Sequence, residues 1–279
     1  MNNETCIVCN SKDFSPILSF DKPDKYESSL GVKEEDYSRE WVKCNSCGFH
    51  YSVFSRDENL MDTLYTSLYR NNNSSWRTDS PEALFRKIIS MPREQSDTKA
   101  KVEWIKSNIK KLEEDGFINF QDDFHHVLDI GGANGIFAYE FQDRQWISHV
   151  IDPDENGVFM RKYGIDFIQG YYNPSLLDKK VDLISMVYVL EHLRNPKSLL
   201  AEVKGNMNPD SLLYVEVPDA ISFKHKPKED DIFNSTHLWM FDPNTLSAVL
   251  NQTGFEPMCL NRVRTKRDNL ALRILAAPK

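Results

Sequence analysis

The sequence predicts an α/β fold, a mostly parallel sheet covered by helices on both faces and preceded by a small metal-binding module. Three observations carry this. Beyond His126 short apolar runs alternate with helical stretches. The first of those runs, Val127 to Ile130, opens into a glycine-rich turn. Four of the five cysteines stand near the N-terminus as two C-x-x-C pairs. Alternating strands and helices make a parallel sheet because each crossover lays a helix on one sheet face.

The cysteines come first in the chain. Cys6-Ile7-Val8-Cys9 and Cys44-Asn45-Ser46-Cys47-Gly48 each have the two-residue gap that lets both thiolates face one ion from a tight turn, and two such turns complete a tetrahedral S4 site for Zn2+. Because all four positions are filled by protein, that zinc is expected to be structural. The Gly after the second pair suits a positive φ. The polar segment from Ser19 to Ser38 fits a loop or hairpin inserted between the pairs. Cys259 is left over and reads as a buried small hydrophobe. Residues 1–57 are therefore expected to form a zinc-binding module.

Residues 58–118 read as a helical connector. Leu60, Leu64 and Leu68 recur at spacing four, and Val102, Ile105, Ile109 and Leu112 at spacings three and four. Tyr69 to Trp76 reads as a loop, and Gly116 as the cap of the last helix. Residues 119–279 should form the sheet domain. Its strands are expected at Val127–Ile130, Ser148–Ile151, Asp166–Gln169, Val181–Val187 and Leu212–Val217, with a final pair near Glu256–Leu260 and Leu270–Leu275. Helices are expected at Gly135–Gln142, Asn156–Tyr163, Pro196–Asn206 and Pro243–Gln252.

The turn after the first strand reads Asp129-Ile130-Gly131-Gly132-Ala133-Asn134-Gly135. Glycines there let a ligand approach the backbone at the carboxyl end of the strand. The dinucleotide pattern G-x-G-x-x-G fails, since it would need Gly at Ala133 and Ile136, and no Walker lysine follows. These residues resemble motif I of class I S-adenosylmethionine-dependent methyltransferases, with Ala133 in place of the middle glycine. Asp152-Pro153 at the end of the second strand matches the family's ribose-binding acid. Tyr171 falls at the third position, where the family often carries Asp. The fourth strand ends in Val189-Leu190-Glu191-His192-Leu193, similar to the family's own ending, and Ser235-Thr236-His237-Leu238-Trp239 before the last long helix resembles one methyltransferase subgroup.

The resemblance implies a Rossmann-like class I methyltransferase sheet. It implies cofactor contacts from Asp129, Gly131, Gly132, Ala133, Gly135, Asp152, Pro153, Tyr171 and Met186. It also implies a catalytic group of His192 as base, Glu191 to orient it and His237 as the alternative base. Zinc modules ahead of such a domain are similar to those of sugar C-methyltransferases from deoxysugar and cell-surface saccharide pathways. The expected acceptor is thus a small molecule, with a nucleotide-linked sugar or related phosphorylated metabolite in view. Lys224-His225-Lys226-Pro227-Lys228 reads either as a solvated loop or as a phosphate holder over the acceptor mouth.

The charge balance, 34 basic against 42 acidic residues for a net charge of −8, argues against nucleic acid. This disfavours the rival resemblance to zinc-containing RNA methyltransferases. Intact Asp129, Gly131, Gly135 and Asp152 argue against a non-catalytic binding module. No run reaches the roughly 18 apolar residues of a membrane span, and no signal peptide opens the chain, so a cytosolic protein is expected.

Overall fold

The computed structural model describes residues 3–35, 37–57, 59–60 and 79–279. Leu64, Leu68 and the whole 69–76 loop read above lie outside them. The chain begins with a sheet of β1 (Phe14–Phe20), β2 (Arg39–Cys44) and β3 (His50–Phe54), with the short helix α1 (Lys25–Ser29) between the first two. Helices α2 (Pro81–Ile89) and α3 (Asp97–Glu114) follow, each started by a serine whose side chain accepts a backbone N–H, Ser80 and Ser96. Gly116, at φ 74°, follows the end of α3 as its sequence position implied.

The second sheet is built from β4 (His125–Ile130), β5 (Trp146–Asp152), β6 (Asp166–Gln169), β7 (Val181–Val187) and β8 (Met207–Pro218). Helix α4 (Ile136–Phe141) lies between β4 and β5, and α5 (Pro196–Val203) between β7 and β8. After the one-turn helix α6 (Ser222–His225) come β9 (Trp239–Met240), α7 (Pro243–Gln252), β10 (Phe255–Arg264) and β11 (Leu270–Pro278). The strand order is β10-β11-β8-β7-β4-β5-β6. The pairs among β4 to β8 are parallel, while β11 runs antiparallel to both β8 and β10. Two-residue alternation sorts the strands onto two cores. Val127, Leu183 and Leu212 face α3 and Phe137, and Leu128, Ile130, Ile184, Met186 and Val215 face the opposite cluster.

Two sequence expectations are corrected. The stretch Glu155–Tyr163 winds as a 3-10 helix, not an α-helix. A Cβ on Gly157 would lie 2.3 Å from the Phe167 ring, so this segment sits closer to β6 than an ordinary helix carrying side chains could. Cys259 is only half-buried, packed at the margin of the core on β10. Sequence reading also missed β9, whose two residues extend the N-terminal sheet to the order β1-β2-β3-β9. No described helix is long and apolar enough to cross a membrane.

Candidate active site

β4 has β5 on one side and β7 on the other, so the chain reverses its winding direction at β4. Crossovers diverge at such a point and leave a crevice beyond the carboxyl ends of the strands. A cavity of about 640 Å3 opens there, lined on one side by Gly131, Asp152, Pro153 and Tyr171 and on the other by Tyr188, His192 and Arg194. Its size falls within the range of small-molecule sites.

The turn after β4 is shaped to let a ligand approach closely. Gly131 has φ 70°, and a Cβ there would lie 2.9 Å from Val189 Cγ2. Gly135, at φ 69°, starts α4, and its Cβ would meet Met160 Sδ at 2.4 Å. Ala133 adopts φ 51°, a left-handed conformation that favours glycine. Its N–H donates to Asp152 Oδ2 at 2.9 Å, while the Asp154 N–H donates to Oδ1 at the same distance. Asp152 thus ties the turn after β4 to the end of β5, and it reaches the cavity wall without exposed surface of its own.

Among the other residues read as cofactor contacts, Gly131, Pro153 and Tyr171 line the cavity. Asp129, Gly132, Ala133, Gly135 and Met186 do not; they support it. Asp129 lies beneath the turn, where Ser185 Oγ donates to its Oδ1 at 2.6 Å. Burial pushes its carboxyl up to about 7, against the lowering effect of Ser185 and Lys101.

On the far side, β7 is followed by Tyr188, a non-glycine residue at φ 56°. The next turn carries Glu191 and His192. His192 Nδ1 donates to the Thr236 carbonyl at 2.9 Å, and His237 Nδ1 donates to the Ile232 carbonyl at 2.8 Å. The two rings lie 4.9 Å apart between centroids. His192 Nε2 stands 3.9 Å from Glu191 Oε1. Glu191 has no exposed surface, and neither carboxylate oxygen has a hydrogen bond from another residue among those described. Burial pushes it up to about 8. Burial also lowers the His237 imidazole. Of these three residues only His192 lines the cavity.

His237 reaches this place because the N-terminal sheet holds its loop. Arg39 Nη1 and Trp41 Nε1 donate to the Phe233 carbonyl, Arg56 Nη2 donates to the Ser235 carbonyl, and Asp24 accepts from the Ser235 N–H and hydroxyl. The Leu238 N–H then donates to the Glu191 carbonyl, and the Leu238 carbonyl accepts from the Ser52 N–H. Behind this sheet the cysteines converge. Cys6 Sγ lies 3.5 Å from Cys47 Sγ, and Cys9 Sγ is the same distance from Cys44 Sγ. In a tetrahedral zinc site with Zn–S bonds of 2.3 Å, sulfurs stand about 3.8 Å apart, so the four thiols fit that ion closely.

The basic run at 224–228 lies away from the cavity. Lys226 pairs with Asp268 and Asp230, and Lys228 lies over the Phe20 ring. Sequence reading missed Arg194 as a cavity residue. It also missed a buried group around Glu216, which accepts from Lys101, Arg273 and the Tyr214 hydroxyl. Only the acid-to-base balance within strand runs could have hinted at it, and that pattern carries no specific spacing.

A family model described as a methyltransferase domain matches residues 80–260. No curated protein gives a sequence match. Many solved structures are similar, two of them over most of this chain with S-adenosylhomocysteine bound. The Burkholderia thailandensis 1,6-didemethyltoxoflavin-N1-methyltransferase, with 1,6-didemethyltoxoflavin and S-adenosylhomocysteine bound, is 15% identical over 88% of this chain and 96% of its own, with a TM-score of 0.53. The magnesium protoporphyrin IX methyltransferase of Synechocystis PCC 6803, with S-adenosylhomocysteine bound, is 14% identical over 80% of this chain and 100% of its own, with a TM-score of 0.51. At these identities the likeness is one of fold. Together with the family match over more than half of the sequence, it shows that this chain belongs to the methyltransferase-domain family, on the class I S-adenosylmethionine-dependent fold.

Proposed function

We propose that the protein transfers a methyl group from S-adenosylmethionine to a small molecule bound at the His192 side of the cavity. The observation that carries this is the cavity itself, with the glycine-rich turn and Asp152 on one wall and a Glu-His-His cluster against the other. Bound S-adenosylmethionine supplies an electrophilic methyl carbon; the acceptor's lone pair bonds to it as the C–S electron pair passes to sulfur. The chain's own part is alignment and proton handling.

Gly131 admits the cofactor to the backbone, Asp152 accepts from its ribose hydroxyls, and the Tyr171 ring at the mouth offers a stacking face. The acceptor's proton is released at the Glu191, His192 and His237 cluster. Arg194, whose Nη1 donates to Asn59 Oδ1, is the lysine or arginine on the cavity wall among the described residues and supports a phosphorylated acceptor, for which we name a nucleotide-linked sugar. Cys6, Cys9, Cys44 and Cys47 hold one structural Zn2+, which metal analysis of the purified protein should find.

The testing experiment is a methyl-transfer assay against nucleotide sugars and related phosphorylated metabolites, run beside calorimetry of cofactor binding. Asp152→Ala should weaken cofactor binding by about 2 to 4 kcal/mol through lost hydrogen bonds to a charged group. His192→Ala should keep cofactor affinity and lose turnover. Full cofactor affinity in Asp152→Ala would show that the ribose binds elsewhere.

A further inference from the structure

Glu191 presents an unmet requirement. It is fully buried, and among the described residues no other residue gives either oxygen a hydrogen bond. The buried cations nearest in kind, Lys101 and Arg273, are committed to Glu216. A carboxylate taken out of water without a partner is costly; it either keeps its proton, as burial makes Glu191 do, or ionises against a counter-charge or a metal ion.

The geometry around Glu191 suits the second solution. One carboxylate oxygen of Glu191 and one ring nitrogen each from His192 and His237 lie within 4.8 Å of one another. Both imidazoles donate Nδ1–H to a backbone carbonyl, which sets the tautomer that leaves the lone pair on Nε2. Metal-binding histidines are ordinarily held in this way, by a carbonyl or carboxylate behind the ring. Ligand atoms about 2.1 Å from one ion stand roughly 3 to 4 Å apart, so the trio has to draw in by about 1 Å, within reach of small side-chain rotations. His192 lies on the cavity wall, which leaves further coordination positions facing the cavity.

We propose that Glu191, His192 and His237 form a divalent-cation site of the two-histidine, one-carboxylate kind, open toward the acceptor. Nitrogen and carboxylate donors in this ratio suit Mn2+, Fe2+ or Zn2+, whereas the four thiols select a softer ion, so the two sites are chemically separable. The role of the cation rests on the reading that the acceptor binds at this side. An acceptor hydroxyl or enol oxygen would bind the cation, its O–H bond would break with the electron pair kept on oxygen, and the proton would pass to water at the open mouth. His192 and His237 then serve as ligands, not as bases.

The test is Mn2+ titration followed by electron paramagnetic resonance, on the untagged, full-length, zinc-loaded protein without cofactor or acceptor. One Mn2+ per chain should bind. Binding should be lost in Glu191→Gln and in His237→Ala, with folding checked by thermal melting, and kept in Asp152→Ala. A wild-type protein that binds no Mn2+ at millimolar concentration overturns the proposal, as does binding that survives both ligand substitutions. Cofactor calorimetry on the same samples stands apart from this result, so a protein that binds Mn2+ but not S-adenosylmethionine would defeat the methyltransferase reading and leave the cation site intact.

Discussion

The cavity wall that carries Gly131 and Asp152 comes from two adjacent parallel strands and the turns at their ends. The wall that carries His192 draws on segments far apart in the chain: the end of β7, the loop before β9, and an N-terminal sheet that holds that loop. The first wall is a local structure, set by backbone conformation at Gly131, Ala133 and Gly135 and tied by one carboxylate. The second exists only if distant elements dock. On the function proposed, separate construction means that cofactor binding and acceptor activation should fail independently.

The largest effect should come from the buried ion group around Glu216, which belongs to neither wall's lining. Glu216→Gln would leave Lys101 and Arg273 buried without their counter-charge. Loss of one partner from a buried ion group costs about 3 to 5 kcal/mol, which denaturant unfolding would read. A loss below 1 kcal/mol, on the order of a surface pair, would mean that water reaches this group.

Next comes a substitution aimed at the docked wall. Cys44→Ser should abolish the zinc binding proposed for the four cysteines, loosen the N-terminal sheet and let the His237 loop drift. Misplacement by about 1 Å costs roughly 10²-fold in turnover, while S-adenosylmethionine affinity by calorimetry should stay unchanged. Equal loss of both would break the distinction between the walls.

Asp129, under the local wall, gives a pH signature. Its carboxyl rises from 3.8 to about 7 on folding, so the folded state holds the proton more tightly than the unfolded one. Stability from this group is therefore present at low pH and declines as pH climbs through the interval from 3.8 to about 7. Asp129→Asn should flatten that decline and melt higher than the wild type at pH above 7. A series of melting temperatures with parallel slopes for the two proteins would show that Asp129 stays ionised throughout.

The smallest effect should come from Ala133→Gly. Glycine relieves the left-handed strain at φ 51°, on the order of 1 kcal/mol, but adds freedom to the unfolded chain worth about 0.4 to 1 kcal/mol. Stability should change by less than about 1 kcal/mol with cofactor binding kept.

Which features could be read from the sequence follows the same division. The strand after His126, the turn at Gly131, Asp152 at the end of β5 and the paired cysteines all express geometry among residues a few positions apart. Their φ angles, two-residue side-chain alternation and tight-turn spacing hardly depend on the remainder of the chain. Hence the glycine turn, the order of strands and helices, and the candidacy of Cys6, Cys9, Cys44 and Cys47 for one ion were legible. The 3-10 winding of Glu155–Tyr163 was not; its Gly157 lies against the Phe167 ring of β6, a contact set by tertiary packing and not by local spacing.

What the amino-acid order determined by itself is therefore a sheet with a ligand-admitting turn at its switch point, and two knuckles able to share a metal. The tertiary structure decided that β9 would join β3, that Tyr188 would turn left-handed at the cavity, and that Arg194 would stand on its wall. It also decided which buried glutamate is satisfied: Glu216 finds two cations and a phenol, while Glu191 meets two imidazoles. The pairings of Glu216 with Lys101 and Arg273, and of Glu191 with His237, join residues tens of positions or more apart, and only packing of the closed chain brings these groups within a few ångströms.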